Sequence, residues 1–393
     1  MVPEIHHRNI AQEAGRDAMT RMEHERPDRW RCEPSSREVI LLSLMSFVIF
    51  VIVVASLDNY WERASQSGDN PMYIAISAAI RRFSFNGVDA MHFWGLSYAI
   101  AALSALTTIS DLTALLVISL VSSLITTVFI NRLWGGWVAS FFGIISWDWI
   151  QRSSLGGAEP LFMALLCGTF LAVRTERWTL AALSAACATT VRPVGVFALL
   201  AIAIVLLFHR NWGRLAIATS VGAAVGLLYV LPIAVAFGDP LANINNYRSI
   251  AWGGGSPVTF PGLSMIQGLM SSTQPLTNTI KILVWVSFVL AGIAAMITTK
   301  QYRAFAAKYP VETVFVALYL LFLFAYNSPG WSWAEFPRFA IPAAPLVLVA
   351  LSHWAPRDRR LLWIAGVCSA SIAGASAINV RHAFDAIRHI FHA

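Results

Sequence analysis

Apolar runs of about twenty residues, separated by short polar segments, repeat along most of the chain, and this length is typical of helices that cross a membrane. The runs predict about eleven transmembrane helices. They lie at residues 38–57, 112–131, 134–150, 159–173, 178–191, 193–208, 215–236, 280–298, 311–326, 338–354 and 361–379. The predicted fold is therefore all-α, a polytopic membrane helix bundle.

One further apolar segment, residues 91–110, could either cross the membrane or lie along its outer surface. Positive charge decides between the two, because loops on the cytoplasmic side are enriched in Lys and Arg. If 91–110 does not span and the N-terminus is cytoplasmic, every short inner loop is basic, as at Arg132, Arg174 and Arg357. We therefore expect 91–110 to be an interfacial or re-entrant helix and the working face to be extracytoplasmic.

The composition agrees with a membrane protein. Hydrophobic residues make up 57% of the 393 residues and charged residues 12%, against about 25% charged in soluble domains. The net charge of +7 is explained by membrane topology, and no nucleic-acid motif is present, so we expect no nucleic-acid partner. The four cysteines indicate neither a disulfide framework nor a metal site.

The chain divides into three predicted parts. Residues 1–37 mix arginines with acids and form a cytoplasmic polar tail, residues 38–379 form the transmembrane domain, and residues 380–393 form a C-terminal tail. Two long outer loops, 58–111 and 237–279, interrupt the transmembrane domain. Long loops in a tight bundle are usually functional.

Three local patterns carry a resemblance to a known family. They are "GDNPMYIAISAAI" (68–80), "GGAEPLFMALLCGTFLA" (156–172) followed by "ATTVRPVGVFALLAI" (188–202), and "FPRFAIPAAPLVLVAL" (336–351). In order, spacing and outer placement they resemble the GT-C superfamily of integral-membrane glycosyltransferases, and the nearest likeness is to bacterial relatives of GPI mannosyltransferases. The resemblance implies a polyprenyl-phosphate-linked sugar donor, a lipid, glycan or protein acceptor, and a bacterial inner or plasma membrane.

Transfer from a lipid phosphate needs a base for the acceptor hydroxyl and cations for the departing phosphate. Asp69 is the first candidate for the base, because Pro71 suits the first helical position and would make Asn70 the N-cap, which leaves the Asp69 carboxylate free. Asp58, directly after the first span, is the rival candidate.

Other residues are candidates for substrate binding, each with a structural alternative. An arginine could hold the lipid phosphate, contact anionic head groups or pair within the protein. An acid could favour a helix N-terminus, and an aromatic ring could anchor the chain at the interface. The candidates are Arg81, Arg82, Arg192, Arg338, Glu159, Tyr73 and His92.

Two questions stay open at this point. No cofactor is certain, but a divalent cation could bind near acids such as Asp58, Asp69 and Glu159. A transporter or lipid flippase is the alternative function, although no internal repeat of the kind common in transporters is evident. A polymerase or ligase of surface glycans would share the long outer loops.

The predicted topology can be tested by cysteine labelling in intact cells. We expect the Arg174→Cys variant to react only with a membrane-permeant thiol reagent, because residue 174 lies in an inner loop. We expect Leu106→Cys, in the surface segment, to react with an impermeant reagent. Labelling of Arg174→Cys from outside alone would reverse the orientation of the whole chain.

Overall fold

The computed structural model describes residues 33–378 except 86, 89, 252–255 and 272–275. Within these residues the chain is helical, and its only β-type pairing is an isolated bridge between Val258 and Tyr326. The helices are α1 Ser36–Leu57, α2 Tyr60–Gln66, α3 Asn70–Arg82, α4 Gly95–Thr107, α5 Asp111–Trp134, α6 Gly136–Ile145, α7 Trp147–Leu155, α8 Ala158–Arg174, α9 Trp178–Val191, α10 Val196–Phe208, α11 Trp212–Phe237, α12 Ala242–Ala251, α13 Leu263–Met270, α14 Leu276–Thr298, α15 Lys300–Lys308, α16 Pro310–Ala325, α17 Pro329–Ala334, α18 Phe336–Ala340, α19 Ala344–Leu351 and α20 Arg359–Ala377.

Several helices are long and apolar enough to cross a membrane. Among the described residues these are α1, α5, α11, α14 and α20. Two further spans form if bent helix pairs are counted, α7 with α8 at 106° and α15 with α16 at 113°. The shorter apolar helices are α4, α6, α9 and the stretch Pro193–Phe208. The prediction of an all-α polytopic bundle is confirmed.

Two predicted spans are broken helices in the structure. The span 134–150 is interrupted at Ser146, whose extended backbone lets its side chain accept a hydrogen bond from Trp149 N and so start α7. The span 338–354 is divided between α18 and α19 at residues 341–343, where Pro342 lacks the backbone N–H that would continue the helical hydrogen bonds.

The core of the bundle is built around α8, which packs between α5 and α9. Buried Ser and Thr side chains on α5 donate to the carbonyl groups four residues earlier, as at Ser123, Thr126 and Thr127. These internal hydrogen bonds allow small polar groups to lie among apolar ones. Helix α11 lies at the edge of the bundle and contacts mainly α9 and α10, so most of its apolar surface is open.

Buried ion pairs hold both ends of α8. At its C-terminal end, Arg174 donates to both oxygens of Glu312, at 2.8 and 3.0 Å, and its guanidinium lies over the Tyr309 ring. At its N-terminal end, Glu159 is 1% exposed and accepts from arginines of other segments. The central helix is thus fixed by charge at two ends and by apolar packing between them.

Parts of the predicted organisation stay predictions. Residues 1–32 of the predicted tail and residues 379–393 lie outside the described residues, as do Asp89 and part of the glycine-rich 253–257 stretch. The segment 91–110 contains α4, which packs on α3, α5 and α9. Its interfacial placement and the division into three parts remain expectations.

The start of α4 depends on a close approach between two backbones. A Cβ added to Gly95 would lie 2.5 Å from the carbonyl carbon of Thr190 on α9. We expect Gly95→Ala to lower the free energy of unfolding by about 1–3 kcal/mol, because the added methyl forces the helices apart. Thermal unfolding in detergent measures this. Gly213→Ala is the control, since nothing lies within 4 Å of its added Cβ; equal stability of the two variants would contradict the prediction.

Candidate active site

Most of the predicted site residues come together at one end of the bundle, although they come from separate segments. Asp69 immediately precedes α3, His92 precedes α4, and Glu159 is in the first turn of α8. Arg192 lies between α9 and a 3₁₀ turn, and Arg338 lies in the short helix α18. The three motifs that carried the family resemblance therefore meet in space.

The guanidinium of Arg338 is the centre of this cluster. Its Nη2 donates to Asp69 Oδ2 at 2.7 Å, its Nε donates to Glu159 Oε1, and its Nη1 lies 3.6 Å from Glu335 Oε2. Each nitrogen of one guanidinium therefore faces a different carboxylate. The side chain is 12% exposed, so these contacts lie in a setting where charge interactions are strong.

Glu159 joins the two arginines of the site. Its Oε1 accepts from Arg192 Nη1 at 2.6 Å as well as from Arg338 Nε. Its other oxygen, Oε2, has no hydrogen-bond partner among the described residues. A buried carboxylate between two guanidinium groups keeps both cations close together, and Asp69 supplies the second negative charge.

A turn at Gly156 and Gly157 positions the Glu159 side chain next to the arginines. Gly156 has a φ of +92°, in the region that glycine enters without a steric penalty, and Gly157 follows in an extended conformation. The two residues permit the 106° bend between α7 and α8. A Cβ at Gly156 would also meet Leu115 at 2.9 Å, so a side chain here would displace α5 from the turn.

The start of α3 differs by one residue from the prediction. Asp69, not Asn70, is the N-cap residue, but the Asp69 side chain makes no capping hydrogen bond. Asn70 is fully buried, and its Nδ2 donates to the carbonyls of Ala64 and Leu155, both at 2.8 Å. Asn70 therefore ties α3 to its neighbours. The Asp69 carboxylate is free of a capping role, as the sequence predicted, although the cap position was wrong.

The electrostatic surroundings of Asp69 are mainly cationic. Burial raises the pKa of the Asp69 carboxyl, but the neighbouring His92 and the charge of Arg338 act in the opposite direction and hold the pKa well below its ordinary value. His92 Nε2 lies 3.6 Å from Asp69 Oδ1, and the His92 ring meets the Tyr73 ring edge-on. Asp69 is accordingly ionised in the site as described.

An open cavity of about 410 Å³ borders this cluster. Asp69, Arg192, Glu335 and Arg338 form its charged side, and Glu159 lies behind them. Its other walls are largely aromatic; they include Tyr73, Phe93, Phe197, Tyr319, Phe322, Tyr326, Trp331 and Phe339. A charged end joined to an apolar, aromatic volume suits a ligand that is itself part ionic and part apolar.

Two residues with structural roles at the site were missed by the sequence analysis. Asn243 on α12 is buried, and its Nδ2 donates to the carbonyls of Ala90 and of His92, the latter at 2.8 Å. It thereby fixes the segment that carries His92. Nothing in the pattern of the asparagine-rich stretch around 243 distinguishes a buried amide from exposed ones.

Arg152 on α7 is the second residue that was missed. It lies against the backbone of Gly68, where an added Cβ would be 2.8 Å from Arg152 Nη2, and against Gly157 beside Glu159. Its charge also lowers the pKa of Asp69. A lone arginine next to an apolar stretch is a usable sequence signal, because such a charge is costly near a bilayer unless it faces other charges.

Three predicted site residues lie away from the cavity. Asp58 Oδ1 accepts from Asn59 N at 2.7 Å, and its Oδ2 lies 3.7 Å from Arg63 Nε. Arg81 Nη2 donates to Asp111 Oδ2 at 2.7 Å, and Arg82 is exposed. The predicted roles of Asp58 as a base and of these arginines in phosphate binding stay predictions.

The sequence leaves open whether a divalent cation binds at the site. In the part of the chain that the structure describes, no three His, Cys, Asp or Glu side chains group together in a way that could hold a metal ion. The carboxylates of the site face guanidinium groups instead.

The fold is similar to that of a solved structure. ArnT from Cupriavidus metallidurans bound to undecaprenyl phosphate superposes with a TM-score of 0.51 and 12% sequence identity, over 84% of this chain and 62% of that one. The apo state of the same protein gives a TM-score of 0.45 and 16% identity, over 81% and 60% of the two chains. Neither a protein-family model nor a curated protein matches the chain. The chain shares the helical fold of that ArnT structure and spans 62% of its length.

Proposed function

We propose that the protein is a membrane glycosyltransferase that moves a sugar from a polyprenyl-phosphate-linked donor to an acceptor hydroxyl. The observation that carries the proposal is one accessible carboxylate, Asp69, paired with Arg338 at the edge of an aromatic cavity. Glu159 joins Arg338 to a second arginine, Arg192, at the same edge. The likeness in fold to ArnT, whose structure holds undecaprenyl phosphate, supports the choice of donor.

The arginines suit the phosphate of such a donor. Arg192 and Arg338 both line the cavity, and Glu159 holds them against each other. Guanidinium groups bind phosphate oxygens through two parallel hydrogen bonds, and preorganised cations stabilise the charge that grows on a leaving phosphate. The aromatic walls would receive the sugar and the first part of the lipid.

Asp69 is the group proposed to act as the base. It would take the proton of the acceptor hydroxyl as the acceptor oxygen bonds to the anomeric carbon of the sugar. The bond from that carbon to the phosphate oxygen breaks at the same time, and the polyprenyl phosphate leaves with the electron pair. Arg192 and Arg338 would hold the released phosphate.

The sugar, the acceptor and the orientation in the membrane are proposed from the sequence. We propose a hexose as the transferred sugar, with mannose as the first to test, and a lipid, glycan or protein as the acceptor. The basic inner loops support a cytoplasmic N-terminus and an extracytoplasmic active face in a bacterial inner or plasma membrane. Arg81 and Arg82 would lie at the membrane surface, where they could contact the donor or lipid head groups.

The assay that tests the proposal separates the two candidate bases. Purified protein in vesicles is incubated with polyprenyl-phosphate hexoses, and free polyprenyl phosphate is measured. We expect Asp69→Asn to lower the turnover rate by about 10²–10⁴-fold, the usual contribution of a general base. Asp58→Asn is the matched control and should keep turnover within about threefold, since its carboxylate lies outside the cavity.

Two results would contradict this proposal. Full turnover of Asp69→Asn together with loss of turnover in Asp58→Asn would transfer the base role to Asp58. Movement of the intact donor across the vesicle membrane, without release of polyprenyl phosphate for any sugar, would indicate the transporter or flippase instead.

A further inference from the structure

The three nitrogens of the Arg338 guanidinium differ in how accessible their partners are. The partner of Nε is Glu159, whose side chain is 2% exposed. The partners on the other edge, Asp69 and Glu335, are 32% and 41% exposed and line the cavity, which Glu159 does not. Arg338 is therefore anchored through Nε and presents its Nη edge to whatever enters the cavity.

An entering phosphate would compete with Asp69 for a hydrogen bond from Arg338 Nη2. A phosphate binds a guanidinium best through two parallel hydrogen bonds along one edge. On Arg338 the edge that faces the cavity is already used at Nη2 by Asp69, at 2.7 Å, and approached at Nη1 by Glu335. The buried contact between Nε and Glu159 would keep the side chain in place during an exchange.

Apart from Arg338, few groups hold the Asp69 side chain in place. Its side chain makes no capping hydrogen bond to α3. The charged or titratable groups that face it are Arg338 from α18, His92 from the segment before α4, Arg152 from α7 and Tyr73 from its own helix. Among these, Arg338 makes the shortest contact.

We propose that the donor phosphate displaces Asp69 from the Nη edge of Arg338, and that this exchange turns Asp69 into an effective base. The inference rests on the proposed function, because it takes the phosphate to be that of the lipid-linked donor. Arg338 is then both a phosphate ligand and a restraint on the base in the empty site.

The exchange sets the order of events. While Arg338 holds Asp69, its charge lowers the pKa of that carboxyl and makes the carboxylate a poor proton acceptor. Once Nη2 turns to the phosphate, the pKa of Asp69 rises, and the proton of the acceptor hydroxyl passes to Asp69 as the sugar leaves the phosphate. A donor must therefore be bound before the acceptor proton can be removed.

Binding of undecaprenyl phosphate, measured in detergent without turnover, tests the exchange. If Asp69 competes for Arg338, the Asp69→Asn variant should bind this lipid roughly tenfold more tightly than the natural protein, because the competing charged hydrogen bond is gone. Glu62→Gln is the matched control, with a change below about threefold, since Glu62 is exposed on α2 and does not line the cavity. Glu159→Gln should bind more weakly, because both arginines lose their anchor.

A spectroscopic measurement follows the Asp69 carboxylate itself. Infrared titration of the natural protein, with Asp69→Asn subtracted, follows the Asp69 carboxylate band. We expect the band to titrate at a higher pH when undecaprenyl phosphate is bound than in its absence. Asp69→Ser repeats the binding measurement if Asp69→Asn unfolds.

The outcomes distinguish a failure of the proposed glycosyltransferase function from a failure of the exchange at Arg338 alone. Failure of the natural protein to bind undecaprenyl phosphate would reject the proposed function itself. Binding by the natural protein, combined with equal or weaker binding by the residue 69 variants, would reject the exchange alone. An Asp69 band whose titration does not move on binding would also reject the exchange.

Discussion

The pairing of Glu159 with two arginines is the interaction on which the site depends. A carboxylate that is 1% exposed inside an apolar bundle is stable only if cations and hydrogen bonds compensate it. The requirement acts in both directions, because Arg192 and Arg338 also need an anion at this depth. Three segments that are distant in sequence are thereby held at one point, and an apolar core alone would not specify that point.

The placement of this ion cluster follows from breaks in the helices. Asp69 and Glu159 lie at helix starts, Arg192 lies where α9 ends, and Arg338 belongs to a short helix. A charged side chain in the middle of a long span would face lipid or a packed neighbour. At helix ends, glycine and proline turn the backbone, and several side chains can converge on one cavity.

Much of the fold could be predicted from the sequence, because apolar runs and loop charges report the demands of the membrane directly. The helices at 36–57 and 111–134 are close to the predicted spans. The breaks at Ser146 and Pro342 were missed, since neither interrupts the apolar pattern. For the site, the motifs indicated Asp69, Glu159, Arg192 and Arg338, but not that one guanidinium would face three carboxylates. Arg152 had a usable signal, a charge beside an apolar stretch, but its contact with the distant Gly68 is recorded by no local pattern.

The contact between Gly68 and Arg152 has a consequence for how the sequence can diverge. Gly68 adopts a φ of +52°, and the Arg152 guanidinium occupies the space that a side chain at 68 would need. A side chain at 68 would therefore require a shorter residue at 152, and a shorter residue at 152 would remove a charge from beside Asp69. The two positions are expected to covary among homologues, as a pair joined by sterics and charge although 83 residues separate them in the sequence.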